Sequence, residues 1–318
     1  MSFTAEVKDE LSRVEGKTHD AELAQLSALM RVCGTLSFRG SGRYSIRVAT
    51  ETGAVARTVI KLTHKNYDLE TALTVRRSVL HKTRNYLIEI PEQDELADDL
   101  VELGILVPGH GLATGVPRSL LATPEARSAF VRGAFMAGGF IADPRGEFHL
   151  EIAVTGEDFA SGLVALIASF GVTARLNRRR GAYAIYIKSF EDIIVLLRAM
   201  GAGRMARVVE VARAKKSVKN DVNRRVNAEM ANQARSTGAA ASQMELIDAV
   251  EEKIGFASLP PALREFCRAR RANPELSLAA LGEELDPPAS KSAMYHRVLR
   301  LQELLAEAEA GEQDIQPE

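Results

Sequence analysis

Two segments of this chain combine small side chains at four-residue spacing with a glycine at the end of the run. Residues four apart share one face of a helix, and small side chains on that face let two helices approach closely. The sequence therefore predicts two closely packed helices, with two ordinary alanine-bearing core helices as the alternative. The runs are Ala24, Ala28 and Val32 before Gly34, and Ala129, Gly133 and Ala137 before Gly139.

The predicted elements around these helices recur in the same order, which indicates an α+β domain of two αββαββ-like repeats. The second helix has a strong start at Thr123, Pro124 and Glu125, and Asp20 is the candidate cap of the first. The second helix is expected to end at Gly138-Gly139, where glycine tolerates the left-handed conformation. We predict a domain over 1–218 with repeats at about 1–105 and 106–218, helices over 20–33, 55–66, 92–103, 124–137, 158–170, 190–200 and 204–216, and strands over 44–49, 71–76, 84–90, 147–154, 173–178 and 183–188.

The last part of the chain, residues 241–305, predicts an all-α domain with three helices from about residue 260. In the third helix Met294, Val298 and Leu301 form an apolar stripe, and Ser292, His296 and Arg300 lie on the opposite side. A short helix, a turn and a helix with a basic outer face are typical of a helix-turn-helix, whose second helix enters the major groove. A generic three-helix bundle is the alternative. The candidate DNA-binding residues are Ser290, Lys291, Ser292, Tyr295, His296, Arg297 and Arg300.

Charge is unevenly distributed behind a net charge of -1. Between Arg204 and Arg235 there are nine basic and three acidic residues, whereas Glu303 to Glu318 holds six acids and no base. We interpret 219–240 as a basic helical linker in which Arg224 and Arg225 contact DNA phosphates, and 306–318 as an acidic, disordered tail. A solvated helix face is the alternative. Further candidate phosphate contacts are Arg47, Arg76, Lys82 and Arg84 in the first repeat and Arg178, Arg179 and Arg180 in the second.

Several functional classes are excluded by composition. The two cysteines, Cys33 and Cys267, form no CxxC pair, which excludes a zinc ribbon, an iron–sulfur cluster and a disulfide framework. Aromatic residues make up 5% of the chain and Trp is absent, which argues against broad base-stacking platforms. No signal peptide or apolar run of about 18 residues is present. We expect a cytoplasmic, nucleoid-associated protein without cofactor, metal or membrane contact.

The second helix segment, residues 130–139, resembles the signature helix of LAGLIDADG homing endonucleases, and residues 28–34 resemble it more weakly. The resemblance implies that the two helices pack at a pseudo-two-fold axis. In the homing endonucleases each of these helices carries an acid just before its final glycine, and the two acids bind divalent metals. The corresponding positions here are Cys33 and Gly138, which lack a carboxylate. Asp143 and Glu147 lie past the helix end and are poor substitutes. We expect a nuclease scaffold without catalytic residues or a metal.

The whole chain up to about Leu305 resembles the WhiA-type sporulation transcription regulators. The resemblance rests on residues 2–11, 132–139, 223–232 and 281–292, together with Tyr295, His296 and Arg297. It implies a degenerate LAGLIDADG domain fused to a helix-turn-helix. It also implies a DNA-binding transcription regulator of cell division and, in spore-forming relatives, of sporulation.

Our working hypothesis is that the helix-turn-helix reads a promoter half-site through Lys291, Ser292, His296 and Arg300. The expected partner is double-stranded DNA, with another regulatory protein or RNA polymerase as further candidates, and a monomer is expected. Two alternatives stay open: an active metal-dependent homing-type endonuclease, and an N-terminal domain that senses a ligand or protein and gates the helix-turn-helix.

Overall fold

The computed structural model describes residues 2–40, 42–77, 84–179 and 181–313. The chain divides into two compact units, the first extending to Ser217 and the second starting at Val218. The first unit mixes helices and strands, and the described part of the second is helical. The predicted fold class, α+β repeats followed by an all-α domain, is confirmed.

The first unit begins with α1 (Phe3–Leu11) and then contains the same succession of elements twice. The first repeat consists of α2 (His19–Cys33), β1 (Gly34–Phe38), β2 (Tyr44–Thr50), α3 (Gly53–Asn66), β3 (Ala72–Arg77), β4 (Arg84–Ile90) and α4 (Leu96–Glu102). A connection follows with β5 (Leu106–Val107), β6 (Gly111–Leu112) and a 3-10 turn (Arg118–Leu121). The second repeat consists of α5 (Pro124–Gly138), β7 (Gly139–Ile141), β8 (Leu150–Val154), α6 (Glu157–Ala168), β9 (Arg175–Arg179), β10 (Ala182–Ile187) and α7 (Phe190–Met200).

The two four-stranded sheets have the same antiparallel topology. Their strand orders are β1-β2-β4-β3 and β7-β8-β10-β9, so each central helix leads directly into an edge strand. These edge strands, β1 and β7, are short, and the sequence pattern did not predict them as separate strands. The alternation of apolar and polar residues in β2 correctly predicted its two faces. Ile46 and Val48 are buried, whereas Arg47 between them is exposed.

The starts of α2 and α5 follow from capping side chains. The Thr123 hydroxyl accepts a hydrogen bond from the amide of Ala126 at 3.1 Å, as the sequence predicts. In α2 the cap is Thr18, whose hydroxyl accepts from the amide of Ala21 at 3.2 Å. The prediction of Asp20 as the cap is therefore wrong. Asp20 lies within the first turn, where its charge still favours the helix dipole.

The close contact between α2 and α5 depends on a glycine. A Cβ atom at Gly133 would lie 2.5 Å from the backbone oxygen of Gln25 and 2.9 Å from Cβ of Ala28. Beside this contact the buried Arg132 guanidinium donates two hydrogen bonds to Oε1 of Gln25, at 3.0 and 3.1 Å, and one to the carbonyl of Met200. Burial lowers the pKa of Arg132 to about 10. The small-residue pattern thus marks a helix–helix contact.

Gly139 ends α5, but not in the predicted left-handed conformation. Its φ is -82° and its ψ is 145°, which any residue can adopt, so that prediction is wrong. The physical reason for glycine here is space, because a Cβ atom would lie 2.3 Å from the carbonyl oxygen of Phe135.

The remaining helices are fewer and longer than the sequence suggests. α8 (Gly203–Lys253) is one helix of 51 residues, where the sequence predicts a helix to 216 and a separate linker. Only one glycine, Gly238, and no proline interrupt its interior. The second unit adds α9 (Pro261–Ala272), α10 (Leu278–Glu283) and α11 (Lys291–Gln313). α11 runs into the tail predicted to be disordered, which is rich in the helix formers Ala and Glu; residues 314–318 lie outside the described part.

Within the described ranges, none of the helices is long and apolar enough to span a membrane.

Candidate nucleic-acid interface

The C-terminal ends of α2 and α5 differ in the residue at the position where the LAGLIDADG resemblance implies an acid. In α2 the position holds Cys33, whose thiol donates a hydrogen bond to the carbonyl of Leu29 at 3.1 Å. Burial raises the pKa of Cys33 to about 11, although the ammonium of the neighbouring Lys8 lowers it in part. The thiol is therefore neutral at physiological pH and is a poor ligand for a hard cation.

Lys8 reaches this end from α1. Thr4, one turn earlier, accepts a hydrogen bond from the amide of Ile141 at 3.0 Å and donates one to its carbonyl at 2.8 Å, which fixes α1 on β7. The Lys8 side chain is about nine-tenths buried, and its burial lowers its pKa. A cationic side chain, rather than a second acid, thus faces the end of α2.

The end of α5 has no space for any side chain. A Cβ atom at Gly138 would lie 2.3 Å from the carbonyl oxygen of Ala153 and 2.8 Å from Cγ1 of Val32. The contact with Ala153 is with backbone of β8, which cannot move aside without disturbing the sheet. A carboxylate at this position would require the backbone to shift.

The nearby acids are engaged elsewhere or point to solvent. Asp143 forms an ion pair with Arg145 at 2.5 Å and accepts from its amide. The hydrogen bond from the Arg145 side chain is the main reason that the pKa of Asp143 falls to about 2. Glu147 is exposed. In the described residues no group of three or more His, Cys, Asp or Glu is placed to hold a metal ion.

In their described parts, the two sheets carry both paired and unpaired cationic side chains. Arg47 of the first sheet pairs with Glu89 at 2.9 Å, whereas Arg76 and Arg84 are exposed. In the second sheet the Arg178 guanidinium lies 5.9 Å from the ring centroid of Tyr183. Lys82 and Arg180 lie outside the described residues. The outward residues of the second sheet are mixed in charge, since Phe140, Glu151 and Tyr186 share this face with the exposed Arg175.

Part of α8 is surrounded by solvent. Residues 220–235 are all exposed, including both predicted phosphate contacts. Arg224 pairs with Asp221 one turn earlier. Arg225 makes no ion pair with a described residue, so its charge is free for a phosphate.

The helix-turn-helix geometry follows from a tight turn between α10 and α11. The amide of Ala289 donates to the carbonyl of Gly282 at 2.8 Å, and a Cβ atom at Gly282 would lie 2.1 Å from the carbonyl oxygen of Ala289. The Ser290 hydroxyl then caps α11 by accepting from the amide of Ala293 at 3.2 Å. Ser290 therefore has a structural role as well as a place beside the outward face.

α11 has the two faces that the spacing predicts. Met294, Val298 and Leu301 are buried in a cluster with Phe266 of α9 and Leu281 of α10. In contrast to these core residues, four of the predicted DNA contacts are exposed at the N-terminal end of the helix: Lys291, Ser292, Tyr295 and His296. This solvent-facing end presents one ammonium, one hydroxyl, one phenol and one imidazole.

The two arginines of α11 are less free than the sequence suggests. Arg297 is half-buried and pairs with Glu265 of α9 at 3.1 Å, which fixes it against the core. Arg300 is exposed but pairs with Glu303 at 2.8 Å and lies 3.6 Å from Glu307. The hydrogen bond that Arg300 donates to Glu303 raises the pKa of Arg300. The i+3 spacing of Glu303 could have been found in the sequence, whereas Glu265 could not.

Three family models match consecutive parts of the chain. Residues 19–106 match the WhiA N-terminal LAGLIDADG-like domain, residues 127–219 the WhiA LAGLIDADG-like domain, and residues 222–305 the WhiA C-terminal HTH domain.

Relatives match over nearly the full length. The chain is 39% identical to a protein named probable cell division protein WhiA from Heliobacterium modesticaldum over 309 residues, 97% of each chain. It is 37% identical to the protein of the same name from Clostridium perfringens over 315 residues, 98% of this chain and 99% of the relative. The crystal structure of full-length DUF199/WhiA from Thermatoga maritima has the same fold, with a TM-score of 0.59, 24% identity, and 96% of this chain and 99% of that one covered.

Proposed function

The chain belongs to the WhiA family, and from that premise we propose that it is a sequence-specific DNA-binding regulator of transcription that acts in cell division. Relatives carry the name probable cell division protein. A role in sporulation in spore-forming relatives, a place at the nucleoid in the cytoplasm and action as a monomer are parts of the same proposal. Another regulatory protein or RNA polymerase is the proposed second partner.

The exposed N-terminal end of α11 carries this proposal. Lys291, Ser292 and His296 project from a helix whose other face is fixed in a core, as a helix that enters the major groove requires. Arg300 contacts a base edge as well, once its guanidinium has left Glu303 and Glu307. Arg225, and to a smaller extent the already paired Arg224, add phosphate contacts.

The double-repeat unit serves this function as a scaffold without nuclease activity. Two-metal cleavage needs oxygen ligands on both sides of the reacting phosphate. A neutral thiol beside an ammonium and a glycine without space supply none. The proposal therefore assigns recognition to the second unit and no chemistry to the first.

The test is a comparison of Lys291→Ala and Arg225→Ala in the full-length chain, by gel shift on duplexes selected from a random library. Lys291→Ala should reduce the preference for the selected site over unrelated DNA by about 1–3 kcal/mol, because a base contact is lost. Arg225→Ala should weaken binding to all sequences alike and reduce the salt slope by about one.

Arg268→Ala is the matched control, because Arg268 is an exposed arginine of α9 outside the α11 face. If Lys291→Ala and Arg268→Ala leave site preference equally intact, the assignment of base recognition to α11 is wrong.

A further inference from the structure

A cleft in the second unit is lined by cationic and neutral polar side chains. It has a volume of about 680 Å³, within the range of small-molecule sites, and is formed by α8, α9 and the N-terminal ends of α10 and α11. Three lining residues are cationic, Arg235, Arg270 and Lys291, and no lining residue is acidic. The cleft therefore concentrates positive charge without an internal counter-charge.

Two residues that line this cleft each have a buried polar side-chain atom without a hydrogen-bond partner among the described residues. Oε1 of Gln243 is one of them, in a side chain that is 7% exposed. Nε of Arg270 is the other, in a side chain that is 1% exposed, although Nη1 donates to the carbonyls of Asn273 and Leu276. Unpaired buried groups are costly in a folded protein, so each calls for a partner. One is an acceptor and the other a donor.

The rim cations are free of carboxylates. Arg235 donates only to neutral oxygens, the carbonyl of Ala231 at 3.2 Å and Oδ1 of Asn232 at 2.8 Å. Lys291 makes no ion pair within the described chain. Both are exposed, so a phosphate group can reach them from solvent.

We propose that this cleft binds a small nucleoside phosphate. The phosphate would contact Arg235, Lys291 and the Nε–H of Arg270, and a ribose hydroxyl or base amine would donate to Oε1 of Gln243. The unpaired acceptor favours this ligand over the backbone of DNA, because the sugar-phosphate backbone of DNA offers acceptors but no donor. Since Lys291 also belongs to the proposed DNA face, ligand and DNA compete for its ammonium.

The experiment is calorimetric titration of the DNA-free full-length chain with ADP, and separately with inorganic phosphate and with ribose. ADP should bind saturably and more tightly than either fragment. Arg235→Gln should weaken ADP binding by about tenfold, since a charge-assisted hydrogen bond is lost. The matched control Arg268→Gln should leave it within about twofold.

Gln243→Leu tests the buried acceptor, with circular dichroism to verify folding. It should bring the affinity for ADP towards that for inorganic phosphate; if this variant does not fold, the Arg235 and Arg268 pair still decides. No ADP binding up to about 10 mM, or phosphate binding as tight as that of ADP, would overturn the proposal.

Gel shifts on the same protein separate this inference from the proposed function. If the chain binds DNA but not ADP, only the ligand site is contradicted. If Arg235→Gln also weakens DNA binding in that case, the cleft contacts the DNA backbone instead of a small ligand. A chain that binds ADP but no DNA sequence preferentially contradicts only the proposed function.

Discussion

The two central helices have the same length, the same threonine cap and the same small-residue spacing, yet their C-terminal ends are chemically different. The end of α2 keeps a side chain, the Cys33 thiol, next to the Lys8 ammonium. The end of α5 has Gly138 pressed against the backbone of β8. The two positions at which the LAGLIDADG resemblance implies an acid therefore lack a carboxylate for different physical reasons: a thiol occupies one, and the other has no space for a side chain.

The largest expected effect comes from adding one methyl group at the closed end. Gly138→Ala should lower the free energy of unfolding by about 2–3 kcal/mol, because its Cβ would lie 2.3 Å from a backbone oxygen. Gly203→Ala is the matched control, since its Cβ would have no neighbour within 4 Å. Urea unfolding measures both, and equal stability of the two variants would contradict the claim that the α5 end is closed.

A smaller effect is expected from the ionisation of the thiol at the α2 end. The unfolded thiol ionises near pH 9, whereas burial raises the pKa of folded Cys33 to about 11. Between these values the unfolded chain has lost the proton and the folded chain retains it, so stability falls as pH rises from 9 to 11. The loss should be about 1 kcal/mol at pH 10.

Cys33→Ala should therefore show a shallower loss of stability between pH 8 and pH 10, as measured by urea unfolding. Lys8 is retained in both proteins, and its lowered pKa acts in the opposite direction. Cys267, whose pKa burial also raises to about 11, is retained as well. Parallel curves for wild type and Cys33→Ala would mean that the α2 end is open to water.

The smallest effect is expected when a carboxylate is returned to the end that has room for one. In Cys33→Asp the new carboxylate should form an ion pair with the Lys8 ammonium. Because this pair neutralises the only added acid, Mg²⁺ should bind weakly. About 10 mM MgCl2 should shift the Tm by less than about 1 °C, and the variant should not nick supercoiled plasmid. A Mg²⁺-dependent rise in Tm with nicking would show that one carboxylate restores the site.

Much of the first unit could be predicted because its signals are local. Thr123, Pro124 and Glu125 specify a helix start within three residues, and alternation in β2 separates its two faces. The cap of α2 was misplaced because Thr18 and Asp20 are both good caps, and only tertiary packing selects between them. The closed space at Gly138 depends on Ala153, which lies in another element.

The face of α11 shows the same limit for function. Its periodicity predicted which side chains point outward, including Lys291 and His296. It did not predict that Arg297 is held by Glu265, because that contact spans 32 residues of sequence. The unpaired atoms of Gln243 and Arg270 give no sequence signal, since burial and the lack of a partner appear only in the folded chain.

The ion pairs of Arg300 have a consequence for discrimination between DNA sites. If Arg300 reads a base as proposed, its guanidinium must first leave Glu303 and Glu307, so it would exchange them only for acceptors that bind it at least as strongly. A guanine edge in the right position offers two such acceptors, whereas a mismatched base does not. On unrelated DNA the proposed reader would stay paired with its own glutamates, whose negative charge also repels nearby phosphates, so the complex would dissociate faster.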